Sequence, residues 1–265
     1  MTSHEAEGPV VGPETTLAAV ALRGDPYMAL LDRYGFDFCR GAARTLGDAC
    51  AAQGVALQSL LTEIEEVGTR ASNDGSSPTP ADWNQRPLAE LIAFIVDTHH
   101  AFTRSTIARI SRMLPKVVAK HGAQHPHLQS VAATFGELAM EMEPHMRREE
   151  MVLFPFIREL GSSPEGPVTP PFGTVRNPVR MMMREHDRAE ELLASLYATT
   201  NGFQPPADAC IAQKTVYAAL AALRIDLLRH MSLENDLLFP RAMEAELQKL
   251  SRARAVTSAG TPTAP

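Results

Sequence analysis

The sequence carries one helical motif twice, and this repeat constrains the fold more than any other feature. The segments His145–Pro155 and His230–Pro240 both read H-M-x-x-E-x-x-x-L-F-P. A further histidine precedes each motif, His99 before the first and His186 before the second. Residues four apart on an α-helix lie on one face, so each motif directs an imidazole and a carboxylate the same way. The repeat therefore predicts a tandem duplication in which each half supplies two histidines and one glutamate.

Histidine and glutamate in this arrangement indicate a metal site. A single H-x-x-x-E pair is common on solvated helix faces, but two copies on apolar stripes would bury groups that are costly unless paired or ligated. Four imidazoles and two carboxylates form a donor set for two transition-metal ions, and the lack of thiolate favours iron, manganese or zinc. Affinity alone favours zinc, so iron is inferred from geometry and availability. The candidate ligands are His99, His145, Glu149, His186, His230 and Glu234.

Hydrophobic periodicity predicts an all-α protein built around a four-helix bundle. The first long helix follows Pro87, and the other three cover about 128–160, 175–200 and 207–250. Stretches rich in Gly and Pro separate the last three helices, and such stretches end helices.

The bundle is expected to follow a small helical N-terminal domain. Between the two lies a stretch rich in Ser, Gly and Pro, which is typical of a linker. The predicted order is a disordered lead-in at 1–16, the small domain at 17–67, the linker at 68–82, the bundle at 83–250 and a disordered tail at 251–265.

The register of the first long helix selects His99 rather than its neighbour. An apolar stripe begins at Leu88, and extending its i, i+3, i+4 spacing places His99 on the core-facing side. His100 then points about 100° away and is expected to be structural or exposed. In the two repeats, Pro155 and Pro240 are expected to kink or loosen the helix at the preceding turn.

Composition excludes several classes of protein. The 265 residues carry a net charge of −6 with a pI near 5.9, which argues against a nucleic-acid or anionic-membrane surface. No apolar run is long enough to span a bilayer, and the N-terminus lacks the pattern of a secretion signal. Three cysteines without a C-x-x-C pair fit a reducing cytoplasm and cannot alone hold an iron–sulfur cluster.

Other polar side chains are weaker candidates. His121, His125 and His127 lie in the segment KHGAQHPH, which is expected to form a loop at one end of the first helix hairpin. His121 is an additional candidate ligand, although histidines at helix ends are usually solvated. Glu150 is a candidate for hydrogen bonding around the centre or for lining a channel. The run Met181–Met183 is interpreted as flexible core filler rather than as a copper site.

The body of the chain resembles the hemerythrin-like di-iron domain of the iron–sulfur cluster repair (RIC) family. The resemblance runs from about residue 20 to 245 and includes that family's small leader domain. It is carried in the body by Ile95–His99, Val118–Gly122, His145–Pro155, Glu185–Asp187 and His230–Ala242, and in the leader by Tyr34–Cys39, Gly41, Thr45–Leu46 and Ala49–Cys50.

This resemblance implies a carboxylate-bridged, non-heme di-iron centre. The implied role is repair of iron–sulfur clusters damaged by nitric oxide or oxidative stress, with damaged iron–sulfur proteins as partners. The implied terminal ligands are His99, His145, His186 and His230, with Glu149 and Glu234 as bridges and His121 where some members offer a further histidine.

The leader departs from the family pattern at one point. Relatives typically carry two adjacent cysteines followed by two glycines, but this chain has Cys39-Arg40-Gly41-Ala42. Arg40 favours the thiolate form of its neighbour, so Cys39 remains a candidate redox thiol and a candidate bridge in a homodimer. A mechanism that needs two adjacent thiols is not supported.

Three functions are compatible with these residues. The first is an iron donor for cluster repair. The second is a cytoplasmic protein that either scavenges nitric oxide or reduces it, and only reductase activity would make it an enzyme. The third is a hemerythrin-type dioxygen carrier or sensor. It is less favoured because hemerythrin places an aspartate five residues after a ligand histidine, where this chain has Glu150 and Asn235.

Overall fold

A computed structural model describes residues 11–21, 23, 25–36, 43–72, 80–162 and 172–259. Within these residues the chain is helical and has no strand, and an isolated bridge pairs Thr16 with Thr45. The predicted all-α class is confirmed. None of the described helices combines the length and apolar character needed to cross a membrane. Cys39 and most of the predicted lead-in lie outside the described residues.

Short helices build the N-terminal unit. The Thr45 hydroxyl accepts a hydrogen bond from the Asp48 backbone N–H at 3.1 Å and caps the third helix, which ends at Gly54 in the left-handed region at φ 68°. The fourth helix, Leu57–Ser72, extends beyond residue 68, where the linker was predicted to begin. Residues 73–79 lie outside the described part of the chain. The helices of the unit are α1 (Leu17–Ala21), α2 (Asp25–Arg33), α3 (Leu46–Gln53) and α4 (Leu57–Ser72), and α5 (Pro80–Gln85) precedes the bundle.

Four long helices form the bundle, and three of them contain a short π-helical segment. The predicted helix positions are confirmed to within a few residues, except that the fourth helix continues through the predicted end of the bundle at 250. The first helix comprises α6 (Leu88–Phe94), π1 (Ile95–His100) and α7 (Ala101–His121); the second α8 (His127–Arg148), π2 (Glu149–Leu153) and α9 (Phe154–Ser162); the third α10 (Arg176–Thr199); and the fourth α11 (Ile211–Leu233), π3 (Glu234–Leu238) and α12 (Phe239–Ala259).

Apolar side chains form two clusters, one on each side of the level at which the repeated motifs lie. The first contains Leu138, Leu193 and Leu223 of the bundle together with Leu31 and Leu60 of the N-terminal unit. The second contains Trp83, Leu91, Phe154, Met182 and Phe239. The N-terminal unit therefore shares a hydrophobic core with one half of the bundle.

We expect Leu31→Ala to lower the free energy of unfolding by about 2–5 kcal/mol. Leu31 is fully buried in the first cluster, and the substitution removes apolar contacts and leaves a cavity. Urea denaturation followed by circular dichroism measures the change. Ile211→Ala is the matched control, because Ile211 is 78% exposed and its loss should cost no more than about 0.5 kcal/mol. Equal stabilities of the two variants would show that α2 contributes nothing to the core.

Candidate metal centre

Four histidines and two glutamates converge between the two apolar clusters. All six side chains are buried, with at most 3% of any residue exposed. They form two overlapping groups that share both glutamates, and each group could hold a metal ion. One group is His100, His230, Glu149 and Glu234, and the other is His145, His186, Glu149 and Glu234.

Each glutamate directs one oxygen to each group. Glu149 Oε1 lies 3.4 Å from Nε2 of His145, and its Oε2 lies 3.4 Å from Nε2 of His100. Glu234 Oε1 lies 3.1 Å from Nε2 of His230, and its Oε2 lies 3.2 Å from Nε2 of His186. Two imidazole nitrogens and two carboxylate oxygens thus surround each of two neighbouring positions.

These spacings fit a pair of bound ions. The Nε2 atoms of His100 and His230 lie 3.2 Å apart, and those of His145 and His186 lie 3.1 Å apart. Two ligand atoms at right angles about one ion, each about 2.1 Å from it, are separated by about 3 Å. Outside the two groups, none of these glutamate oxygens has a hydrogen-bond partner among the described residues. Because buried carboxylates need compensation, this donor set fits metal ions.

Burial also shifts the pKa values of the candidate ligands. Burial and then the nearby His230 lower the pKa of His100 to about 3, and burial lowers the pKa of His145 to about 4. Burial and the Glu234 carboxylate raise the pKa of Glu149 well above its ordinary range. Burial acts in the same direction on Glu234, but the His230 imidazole outweighs it and holds the pKa of Glu234 well below that range. Neutral imidazoles are the form that ligates metal, so His100 and His145 need lose no proton at pH 7.

The Nδ1 atoms of three of the four converging histidines have hydrogen-bond partners. His100 Nδ1 lies 2.7 Å from Glu150 Oε1, which confirms the expectation that Glu150 bonds around the centre. The other two contacts are His145 Nδ1 to Glu185 Oε2 at 2.8 Å and His186 Nδ1 to Asn235 Oδ1 at 3.0 Å. Such partners fix the tautomer and the orientation of metal-binding histidines, with Nε2 directed inward.

Two arginines hold these carboxylates in place. Arg104 donates to Glu150 Oε1 at 2.9 Å, and Arg148 donates to Glu185 Oε1 at 2.6 Å. Burial raises the pKa of Glu185, but hydrogen bonds from His145 and Arg148 outweigh it and lower that pKa to about 2. Glu185 is therefore a carboxylate at neutral pH and accepts the Nδ1 proton of His145.

The structure brings His100, rather than the predicted His99, into the centre. His99 is buried beside it, with Nδ1 2.9 Å from Asp226 Oδ1 and its ring stacked 6.1 Å from that of His230. The cause is segment π1, which spans Ile95–His100. A π-helical turn accommodates about one extra residue, so a stripe extended from Leu88 at α-helical spacing is displaced by one position. The register of the first helix is thereby corrected from His99 to His100.

The other two π-helical segments begin at the glutamates. In π2 the Phe154 N–H donates to the Glu149 carbonyl, and in π3 the Phe239 N–H donates to the Glu234 carbonyl. The next residue in each case is a proline, which has no N–H to continue the α-helical pattern. The expectation of a loosened helix before each proline is confirmed.

His121 lies far from the centre. It is the last residue of α7, and 21 residues of helix at 1.5 Å each place it roughly 30 Å from His100. Its Nε2 lies 3.1 Å from Cys210 Sγ. The structure thus separates His121 from the other candidate ligands.

In the run Met181–Met183 only Met182 is fully buried, as expected for core filler.

A cavity of about 310 Å³ opens beside the centre. His145 and Glu185 line it together with Glu141 and Arg148. The cavity therefore lies on the α8–α10 side of the centre, next to His145.

A four-helix bundle that encloses two histidine pairs and two shared carboxylates defines a class of cation-binding helical proteins. Residues 91–242 match the hemerythrin HHE cation binding domain. The chain is similar to iron–sulfur cluster repair proteins YtfE over 87% of its length. It is 32% identical to that of Citrobacter koseri, 33% to that of Cronobacter sakazakii and 32% to that of Escherichia coli O157:H7, with 97%, 96% and 97% of the relative covered.

The chain therefore belongs to the hemerythrin HHE family and, within it, to the family of the YtfE iron–sulfur cluster repair proteins. The resemblance drawn from the sequence motifs is confirmed.

Proposed function

We propose that this protein restores iron–sulfur clusters damaged by nitric oxide or oxidative stress by donating iron from a di-iron centre. The observation that carries the proposal is the shared use of Glu149 and Glu234, each of which directs one oxygen to each histidine pair. The names of the similar proteins support the repair role. Damaged iron–sulfur proteins in the cytoplasm are then its partners.

In this proposal both glutamates would be shared by two iron ions. His100 and His230 would hold one ion, and His145 and His186 would hold the other. The described residues supply four donors to each ion, and iron commonly accepts up to six. Bound iron would supply redox chemistry and open positions for small ligands such as nitric oxide or dioxygen.

The position at His145 is the better placed for release of iron. The cavity lies against His145, and charged side chains of both signs line it, with Glu141 and Glu185 beside three arginines. All donors of the centre are nitrogen or oxygen, so no strong iron–thiolate bond has to break.

A repair assay tests the proposal. The anaerobic, iron-loaded protein is incubated with a nitric-oxide-damaged [4Fe–4S] dehydratase, cysteine and a cysteine desulfurase, and recovery of dehydratase activity is measured. We expect faster recovery than with the same concentration of ferrous salt. A His145→Ala, His230→Ala double variant should give no such acceleration. Equal recovery with the double variant or with free iron would contradict iron donation.

Nitric-oxide binding is the second candidate function, and it is favoured because the described residues supply four donors to each position, fewer than the six that iron commonly accepts. Titration of the ferrous protein with nitric oxide should give a nitrosyl spectrum that the double variant lacks. Nitrous oxide formed over many turnovers would make the protein a reductase, whereas stoichiometric binding alone would make it a scavenger. A dioxygen carrier is less favoured, because Asn235 occupies the position of hemerythrin's aspartate and bonds His186 Nδ1.

We expect Glu185→Ala to weaken metal binding by about 10–100-fold while leaving the fold intact. The variant removes the carboxylate that orients His145 through Nδ1. Competition with a chromophoric iron chelator measures the affinity. Glu191→Ala is the matched control, because Glu191 is an exposed residue of the same helix that pairs with Arg188. Equal affinities of the two variants would show that Glu185 does not support the centre.

A further inference from the structure

The histidine-rich segment between α7 and α8 meets the loop before α11 at the end of the bundle remote from the metal centre. His121 Nε2 lies 3.1 Å from Cys210 Sγ, and His125 Nε2 lies 3.3 Å from Asp208 Oδ1. Two imidazoles, one thiol and one carboxylate therefore form two neighbouring donor pairs. The centre described above uses none of these residues.

We propose that His121, His125, Asp208 and Cys210 bind one divalent ion of the zinc class. Two imidazoles, a thiolate and a carboxylate are the donor types that four-coordinate zinc sites use. The thiolate and the carboxylate together balance the charge of a divalent ion. The site is a separate, mononuclear one and does not depend on the proposed di-iron centre.

The spacing of the donors along the chain suits such a site. His121 and His125 are four residues apart on a helical turn, where the His125 N–H donates to the His121 carbonyl at 2.8 Å. Asp208 and Cys210 are two residues apart in the facing loop. H-x-x-x-H opposite D-x-C is thus a pair of short ligand motifs on two different segments.

The distances within each pair are near those of a tetrahedral site. Ligand atoms about 2.0–2.3 Å from a zinc ion are separated by roughly 3.3–3.7 Å in tetrahedral geometry. The rings of His121 and His125 have centroids 6.4 Å apart, so a bound ion would draw the two pairs together. Asp208 is free to follow, because 71% of its side chain is exposed.

Both supporting segments are held by the fold. The turn after α7 is anchored by the buried Leu128, and the facing loop by the buried Phe203 and Ala209. The Lys214 N–H donates to the Cys210 carbonyl at 3.0 Å, which fixes Cys210 at the start of α11. The backbones of both segments are therefore held by the fold, and the side chains of the two donor pairs have to close on a bound ion.

His127 provides a control within the same segment. Its Nε2 lies 2.7 Å from the Tyr217 hydroxyl, so the ring is committed to that hydrogen bond. His127→Gln changes the histidine content of the segment without removing one of the four proposed ligands.

Anaerobic titration of the full-length, iron-loaded protein with cobalt(II) chloride tests the proposal. We expect one further equivalent of cobalt to bind, with thiolate-to-cobalt charge-transfer absorption and the intense visible bands of a tetrahedral ion. Zinc should displace the cobalt. Cys210→Ser should abolish the charge-transfer absorption, and His121→Ala should weaken cobalt binding by about tenfold or more. His127→Gln should leave both properties unchanged.

Charge-transfer absorption that persists in Cys210→Ser would overturn the proposal, because another thiol would then be the ligand. Failure of the wild-type protein to bind the additional cobalt would overturn it as well. The His145→Ala, His230→Ala double variant should still bind cobalt here, so failure of this site and failure of the di-iron centre are distinguishable.

Discussion

Glu149→Ala is expected to remove bound metal from both positions of the centre. Glu149 directs Oε1 to the pair formed by His145 and His186 and Oε2 to the pair formed by His100 and His230, so one substitution takes an oxygen donor from each position. The loss of a bridge also leaves two divalent ions less shielded from each other. The iron content, measured by elemental analysis after anaerobic iron loading and desalting, should fall from two irons per chain to well below one.

Glu150→Ala is the matched control for that experiment. Glu150 is the next residue, but among the described residues its carboxylate bonds His100 Nδ1 and the Arg104 guanidinium rather than facing the centre. Loss of the Glu150 carboxylate should weaken the affinity for iron by about 10–100-fold, but two irons per chain should still bind at saturating iron. Retention of two tightly bound irons in Glu149→Ala, with a normal circular dichroism spectrum in both variants, would contradict a bridging role.

His100→Ala and His99→Ala are expected to differ sharply. His100→Ala removes an inward-facing nitrogen and should reduce the tightly bound iron to at most one per chain. His99→Ala should retain both irons, because the His99 ring bonds Asp226 rather than entering the centre. The His99→Ala substitution removes the hydrogen-bond partner of Asp226 Oδ1, which should lower the free energy of unfolding by about 1–3 kcal/mol. Iron content and the urea midpoint of each variant measure the two effects.

The reverse result would show that the first helix is α-helical through Ile95–His100 and contains no π-helical segment there. Loss of iron in His99→Ala together with full iron in His100→Ala would mean that the first helix continues without an extra residue between Ile95 and His100. Loss of iron in both variants at unchanged stability would mean that both histidines serve as ligands.

The sequence was sufficient to place the candidate ligands that lie within one helical register. His145 with Glu149, and His230 with Glu234, are i, i+4 pairs that lie at the junctions where π2 and π3 begin, so the extra residue of each π turn falls after the pair. His186 lies on α10, which has no interruption. The corresponding predictions therefore agree with the positions of these side chains in the structure.

The predicted helical register was wrong in the first long helix, where no sequence signal marks the π-helical segment π1. Pro155 and Pro240 lie just after π2 and π3 and indicate a disturbed helix there. No proline lies just after π1, so its extra residue could not be predicted from the sequence. The separation of His121 from the centre was predictable, because helical rise alone gives roughly 30 Å from His100. The partners of the Nδ1 atoms were not, because Glu185 and Asn235 reach the histidines from other helices.

The decisive measurement is an iron-edge anomalous difference map from crystals of the anaerobically iron-loaded protein. We predict two peaks separated by about 3.5 Å, one bound by His100 and His230 and the other by His145 and His186, with Glu149 and Glu234 between them. A single peak, or a zinc-edge signal in place of iron, would contradict a di-iron centre.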